Sequence, residues 1–75
     1  MPGLRKRSLL IAGHATSIAL EPEFWAVLEA MAHAEGSSLA GLIGRIDAAR
    51  GERPLASAVR VAALAHATAG RVPKL

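Results

Sequence analysis

Residues 15–25 read ATSIALEPEFW, and the change of pattern within this stretch decides the fold. The first six residues alternate between two faces, which is the period-two pattern of a half-buried strand. One face carries Thr16, Ile18 and Leu20, and the other carries Ala15, Ser17 and Ala19. Glu21-Pro22-Glu23 then begins a helix, because proline fixes φ for the first turn and carboxylates favour the positive end of the helix dipole. The stretch predicts one strand over 15–20 followed directly by a helix.

Three helices are predicted after the strand. The first spans about 22–35, where Gly36 supplies a left-handed stop. The second spans about 38–50, since Ser37-Ser38 offers an N-cap hydroxyl ahead of apolar residues at helical spacing. The third is the alanine-rich run 55–69. A mainly α fold with one N-terminal β-strand and an extra C-terminal helix follows.

The basic residues are concentrated at the two ends of the chain. Arg5, Lys6 and Arg7 precede any acid, and all six acids lie between residues 21 and 52. A basic arm ahead of a near-neutral core is typical of a chain that holds phosphates, although a solubilising tail has the same composition. Gly13-His14 is either a hairpin turn or part of an extended arm. We therefore divide the chain into a basic arm or extra strand (1–14), a domain (15–69) and a basic tail (70–75).

A second copy of the chain is predicted from size. A chain of 75 residues buries only ~60–65% of its unfolded surface, and this one has no cysteine to form a disulfide. A lone strand also needs a second strand for its backbone groups. Pairing of the strand with that of another chain, in an intertwined homodimer, meets both needs, and a weak local hairpin is the alternative.

Several classes of function are disfavoured. His14, His33 and His66 are spread over three segments without a ligand-like spacing, so we expect no metal and no cofactor. The serines have no base that the sequence identifies, so we do not expect an enzyme. The apolar run 9–12 is too short for a signal peptide and no segment is long enough to span a membrane, so we expect a cytoplasmic protein without membrane contact.

The order of these elements resembles the ribbon-helix-helix family. The likeness lies in residues 16–25, in Ala34-Glu35-Gly36-Ser37-Ser38-Leu39 and in Leu42-Ile43. More narrowly, the chain resembles short bacterial members that add a third helix. That likeness is carried by Arg7-Ser8, Ile11-Ala12-Gly13-His14, Glu21-Pro22, Phe24-Trp25 and Ile46-Asp47-Ala48-Ala49-Arg50-Gly51.

The resemblance implies a homodimer whose two strands form a ribbon that enters the major groove of double-stranded DNA. The shared dimer core would comprise Ile18, Leu20, Trp25, Leu28, Leu42, Ile43 and Ile46, with Trp25 turned toward the partner and Phe24 toward its own chain. The DNA-binding residues would be Arg5, Lys6, Arg7, His14, Ala15, Ser17, Ala19, Ser37 and Ser38, the last two through backbone N–H groups at a helix N-terminus.

The chain departs from the family on the outward strand face. Base reading uses side chains that make paired hydrogen bonds, and family members often carry a basic residue at the position of Ala15. Ala15 and Ala19 make no such bonds, which leaves Ser17 as the polar residue of that face. Three hypotheses follow: a DNA-binding transcription regulator, an antitoxin-like module that binds a protein partner through its third helix, and a dimeric scaffold that has lost DNA readout.

Overall fold

Residues 3–69 are described by a computed structural model, in which a β-hairpin precedes three helices. The elements are β1 (Arg5–Ile11), β2 (His14–Leu20), α1 (Pro22–Glu35), α2 (Leu39–Ala49) and α3 (Leu55–Ala67). The tail over 70–75 lies outside the described residues. None of the helices within 3–69 combines the length and the apolar character that crossing a membrane requires.

A two-residue turn at Ala12-Gly13 folds β1 back along β2. Both residues have positive φ, 52° for Ala12 and 84° for Gly13, as the type I′ turn of a tight hairpin requires. The strands are antiparallel, and their register runs from Ile11 opposite His14 to Arg5 opposite Leu20. One chain therefore forms a two-stranded sheet by itself.

The prediction that the chain has a single strand was wrong, because the structure has two strands that pair with each other. Residues 5–11, left open above as an arm or an extra strand, form β1 and pair with β2. The reason is that β1 also alternates: Arg7, Leu9 and Ile11 share the inward side while Lys6, Ser8 and Leu10 share the other. Strand pairing therefore does not by itself require a dimer.

The helices begin and end close to the predicted residues. The αL residue Gly36, with φ 68°, ends α1. Ser38 is the N-cap of α2, where its hydroxyl accepts a hydrogen bond from the Gly41 N–H at 2.9 Å. The third helix ends at Ala67, two residues before the predicted end.

One hydrophobic core joins all the elements. The four largest fully buried side chains each come from a different element: Leu20 from β2, Leu28 from α1, Ile43 from α2 and Val59 from α3. Ile11 adds β1 to the same core at 4% exposure. The third helix is consequently part of the fold and not an appendage to it.

An ion pair ties the start of α1 to α3. Arg60 Nε lies 3.1 Å from Glu21 Oε1, and the same guanidinium lies 5.7 Å from the centroid of the Phe24 ring. A hydrogen bond from its own backbone, and then the bond from Arg60, lower the pKa of Glu21 below its usual value. The pair holds α3 against the ribbon-facing end of α1.

We expect Gly13→Ala to destabilise the fold, because an L side chain at a left-handed φ costs about 1–2 kcal/mol. The φ of 84° at Gly13 places that cost on the hairpin turn itself. Gly3→Ala, ahead of β1 with nothing within 4 Å of the new Cβ, is the matched control and should change stability little. Urea unfolding followed by circular dichroism measures both, and equal midpoints for the two variants would contradict the tight turn.

Candidate nucleic-acid interface

The hairpin presents one exposed face to solvent. This face carries three residues of each strand, Lys6, Ser8 and Leu10 from β1 and Ala15, Ser17 and Ala19 from β2. Ala19 is half-buried and the other five are exposed, with Leu10 at 68%. The face is small and mostly neutral, and it is open enough for the backbone of a partner molecule to approach.

Two hydroxyls meet at the centre of this face. Ser8 Oγ and Ser17 Oγ are 3.1 Å apart across the strands and share a hydrogen bond. Each hydroxyl keeps further hydrogen-bonding capacity, since one oxygen offers one donor and two acceptor sites. Ser8 therefore joins Ser17 as a polar residue that a ligand can reach, and sequence reasoning missed it because β1 was not recognised as a strand.

The same pairing defines two open strand edges. The two residues that flank a two-residue turn, here Ile11 and His14, exchange both backbone hydrogen bonds. From there along the strands, hydrogen-bonded and non-hydrogen-bonded residue pairs alternate. Ser8 and Ser17 are thus a non-hydrogen-bonded pair, and their backbone N–H and C=O groups point away from the hairpin. We call the side of β2 where Ala15, Ser17 and Ala19 present these groups the open edge of β2.

Arg5, Lys6 and Arg7 lie around β1 and do not form one flat patch. Lys6 is on the exposed face, opposite Ala19. Arg5 and Arg7 are on the other side of β1, where the Arg5 carbonyl accepts a hydrogen bond from Trp25 Nε1 at 2.9 Å. The predicted basic arm is consequently a basic strand end held against α1.

Arg7 already has two partners on α1. Its Nη1 lies 3.0 Å from Glu29 Oε2, and its guanidinium carbon lies 4.9 Å from the centroid of the Trp25 ring. Cation–π stacking over the indole orients the guanidinium, and Glu29 neutralises its charge. Within residues 3–69, Arg7 is therefore the one of the three predicted phosphate-binding cations, Arg5, Lys6 and Arg7, that forms an ion pair.

A concave pocket lies beside these groups. Its volume is about 360 Å³, and its wall consists of Arg5, Lys6, Arg7, Pro22 and Trp25. Three cationic side chains around one opening make a site suited to an anion.

The predicted phosphate contact at Ser37 and Ser38 lies at the start of α2. Ser38 is exposed and Ser37 is half-buried. Arg45 reaches back to this helix end, where it pairs with Glu35 and lies 3.4 Å from Ser37 Oγ. Arg45 was not predicted, because it lies about two turns beyond Ser38 and only its long side chain reaches back to the start of α2.

His14 follows the turn and is exposed, as are His33 and His66. Thr16 Oγ1 lies 3.4 Å from the His14 carbonyl oxygen. Over residues 3–69, no three His, Cys, Asp or Glu side chains come together as metal ligands would.

The residues expected in a shared dimer core lie mainly in the core of a single chain. Six of them are buried without a partner: Ile18, Leu20, Trp25, Leu28, Leu42 and Ile43. Within one chain Trp25 is 4% exposed and bonded to β1, and Phe24 is half-buried. Ile46, the seventh, is half-buried at a groove between two helices.

That groove runs between α2 and α3 and has a volume of about 430 Å³. Its lining is mostly apolar, with two arginines: Ile46, Ala49, Arg50, Arg53, Ala58, Val61 and Ala62. Val61 is 47% exposed, and Leu64, one turn further along α3, is 59% exposed. We call this surface the α2/α3 groove.

Comparison with known proteins identifies similar chains. Residues 4–67 match the family model of the ribbon-helix-helix domain. Among solved structures, an uncharacterized protein from Bordetella pertussis Tohama I superposes with a TM-score of 0.77 at 36% sequence identity. The alignment covers 96% of this chain and 64% of the Bordetella protein, so the chain spans a little under two thirds of that protein. A search of curated proteins gave no significant match.

Proposed function

Because the chain belongs to the ribbon-helix-helix domain family, we propose that it is a DNA-binding protein and acts as a small bacterial transcription regulator. The observation that supports this proposal most is the exposed face of the antiparallel hairpin, which carries Lys6, with Arg5 and Arg7 on the other side of the same strand. The major groove admits a two-stranded ribbon, and phosphates on its walls attract such cations.

Contacts to the DNA backbone supply most of the affinity in this proposal. Lys6 is the one side chain of the exposed hairpin face that can make paired hydrogen bonds to a base edge, and the other polar groups of that face are the Ser8 and Ser17 hydroxyls. A serine hydroxyl discriminates weakly between bases because it can donate and accept. We therefore expect modest sequence preference and strong dependence on salt.

Lys6 is the basic residue on the exposed hairpin face, so Lys6→Gln should weaken binding. It should also reduce the magnitude of the slope of log K against log salt by about 0.9 for each Lys6 that contacts a phosphate, or by about 1.8 for a dimer. Arg53→Gln, in the exposed loop between α2 and α3, removes the same charge away from the hairpin and should leave the slope nearly unchanged. Fluorescence anisotropy with a mixed-sequence duplex at about 50 and 200 mM salt measures this. No binding at the lower salt, or equal slopes for the two variants, would contradict DNA binding through the hairpin.

The homodimer remains part of the proposal, joined through the open edge of β2. Edge strands are commonly protected by charged side chains, and β1 has Arg5, Lys6 and Arg7 while β2 has only small, apolar or neutral polar residues beyond His14. Antiparallel pairing of β2 with a second copy's β2 gives a four-stranded sheet. Its two central strands would enter the groove, and the two basic β1 strands would lie along its walls.

Ser17→Pro should block this dimer, because it removes a backbone N–H from the open edge of β2 without removing a bond to β1. Ser8→Pro is the matched control, since it makes the same change at the opposite edge and should leave the dimer intact. Light scattering and analytical ultracentrifugation report the mass. A wild-type chain that stays monomeric at high micromolar concentration, or a Ser8→Pro variant that loses the dimer equally, would rule out the β2 edge.

A second function is favoured by the α2/α3 groove, as an antitoxin-like module that binds a protein partner through α3. The occupant that fits is an amphipathic helix with acidic residues beside its apolar face. Arg53 lines the groove together with Arg50, which pairs with Asp47 at 2.6 Å, so the acidic residues of the occupant would face Arg53. A second copy of α3 contains no acid to offer in their place. Burial of Val61 and Leu64 would then provide the apolar contact.

Selection from a displayed library of helical peptides tests this second function. We expect enrichment of peptides that combine large apolar residues at helical spacing with Asp and Glu, and Val61→Glu should abolish their binding. Leu10→Glu, which changes an exposed leucine of the hairpin, should retain it. Enrichment of basic peptides, no enrichment at all, or equal loss in both variants would exclude the groove as a docking site for an acidic helix.

A further inference from the structure

We propose that Glu29 holds Arg7 in the place of a phosphate, so that the pocket beside Trp25 is a phosphate-binding site whose Arg7 becomes available when the Arg7–Glu29 pair separates. This inference rests on the proposed DNA binding and adds to it a specific contact and an acid that restrains it. Glu29 is a positioning residue here, because it acts on nucleic acid through Arg7.

The geometry of Arg7 is that of a preoriented cation. The guanidinium stacks over the indole of Trp25 at 4.9 Å, and the indole itself is buried and anchored by its bond to the Arg5 carbonyl. The ring therefore fixes where the guanidinium lies. A planar fork of N–H donors held in this way matches the oxygens of a phosphate as well as those of a carboxylate.

The pair can exchange partners because it is open to solvent. The side chains of Arg7 and Glu29 are 41% and 53% exposed, and exposed ion pairs contribute little stability. Arg5 and Lys6 line the same pocket, so both would attract a phosphate that binds there. Of these three cations, Glu29 pairs with Arg7. Phosphate is consequently the chemistry that competes best for Arg7.

The phosphate group that binds here could belong to a DNA backbone or to free inorganic phosphate. Trp25 is the one tryptophan of the chain and forms a wall of the pocket, so its fluorescence reports binding there. Comparing the two ligands distinguishes the two sources. The emission of Trp25 should change when a duplex is added. Inorganic phosphate at constant ionic strength should produce the same change if the free ion suffices, and none if the backbone geometry of the duplex is needed. DNA binding that leaves the emission unchanged would place the phosphate elsewhere and overturn the inference.

A double-mutant cycle tests the role of Glu29. Glu29→Gln should tighten duplex binding roughly twofold to fivefold by freeing Arg7. Glu52→Gln is the control, since it removes one negative charge from an exposed loop remote in sequence from the hairpin. In the Arg7→Gln background, the gain from Glu29→Gln should fall to that of the control. Circular dichroism verifies folding, and Arg7→Met replaces Arg7→Gln if the latter unfolds, because methionine keeps a long side chain beside Trp25 but removes the charge that Glu29 pairs with.

The outcomes separate this inference from the proposed function. If the wild-type chain binds no duplex at low salt, DNA binding itself fails and the inference fails with it. If the wild-type chain binds DNA but Glu29→Gln has no larger effect than Glu52→Gln, DNA binding stands and the inference is wrong. A gain from Glu29→Gln that persists without Arg7 would also overturn it.

Discussion

The pairing of β1 with β2 through the turn at Ala12-Gly13 is the constraint on which the rest of the chain depends. It satisfies the backbone groups on one side of β2 within the same chain and brings Ile11 down onto the core beside the helices. It also carries Arg5 and Arg7 to α1, where Trp25 and Glu29 hold the strand end. Without this turn, residues 5–11 would be a basic arm, and β2 would need a second chain before the core could close.

The third helix completes what the hairpin begins. Because Val59 is fully buried together with Leu20, Leu28 and Ile43, α3 covers apolar surface that would otherwise be exposed by a short chain. A fold closed in this way leaves its remaining surfaces available for binding. These surfaces are the exposed hairpin face, the open edge of β2 and the α2/α3 groove. Cationic side chains lie on and beside the hairpin face, whereas the groove combines apolar residues with arginines.

The helices could be predicted from sequence because their signals are local. Pro22, Gly36 and Ser38 act on the residues next to them, and the structure begins and ends α1 and α2 within one residue of the expected positions. The hairpin was harder, because alanine is not a typical residue at the first position of a type I′ turn and the run Leu9–Ala12 hides the alternation. The Arg7–Trp25 and Arg45–Glu35 contacts join residues far apart in the chain, so no spacing in the sequence reports them.

A disulfide across the hairpin tests directly whether one chain makes its own ribbon. Leu10 and Ala15 are a non-hydrogen-bonded pair, the closer of the two kinds of cross-strand pair, and the chain has no cysteine of its own. On oxidation of the Leu10→Cys/Ala15→Cys variant, we expect a monomer on a non-reducing gel, with each single-cysteine variant as control. A covalent dimer formed by the double variant alone would mean that β1 of one chain pairs with β2 of another, and would contradict the hairpin within one chain.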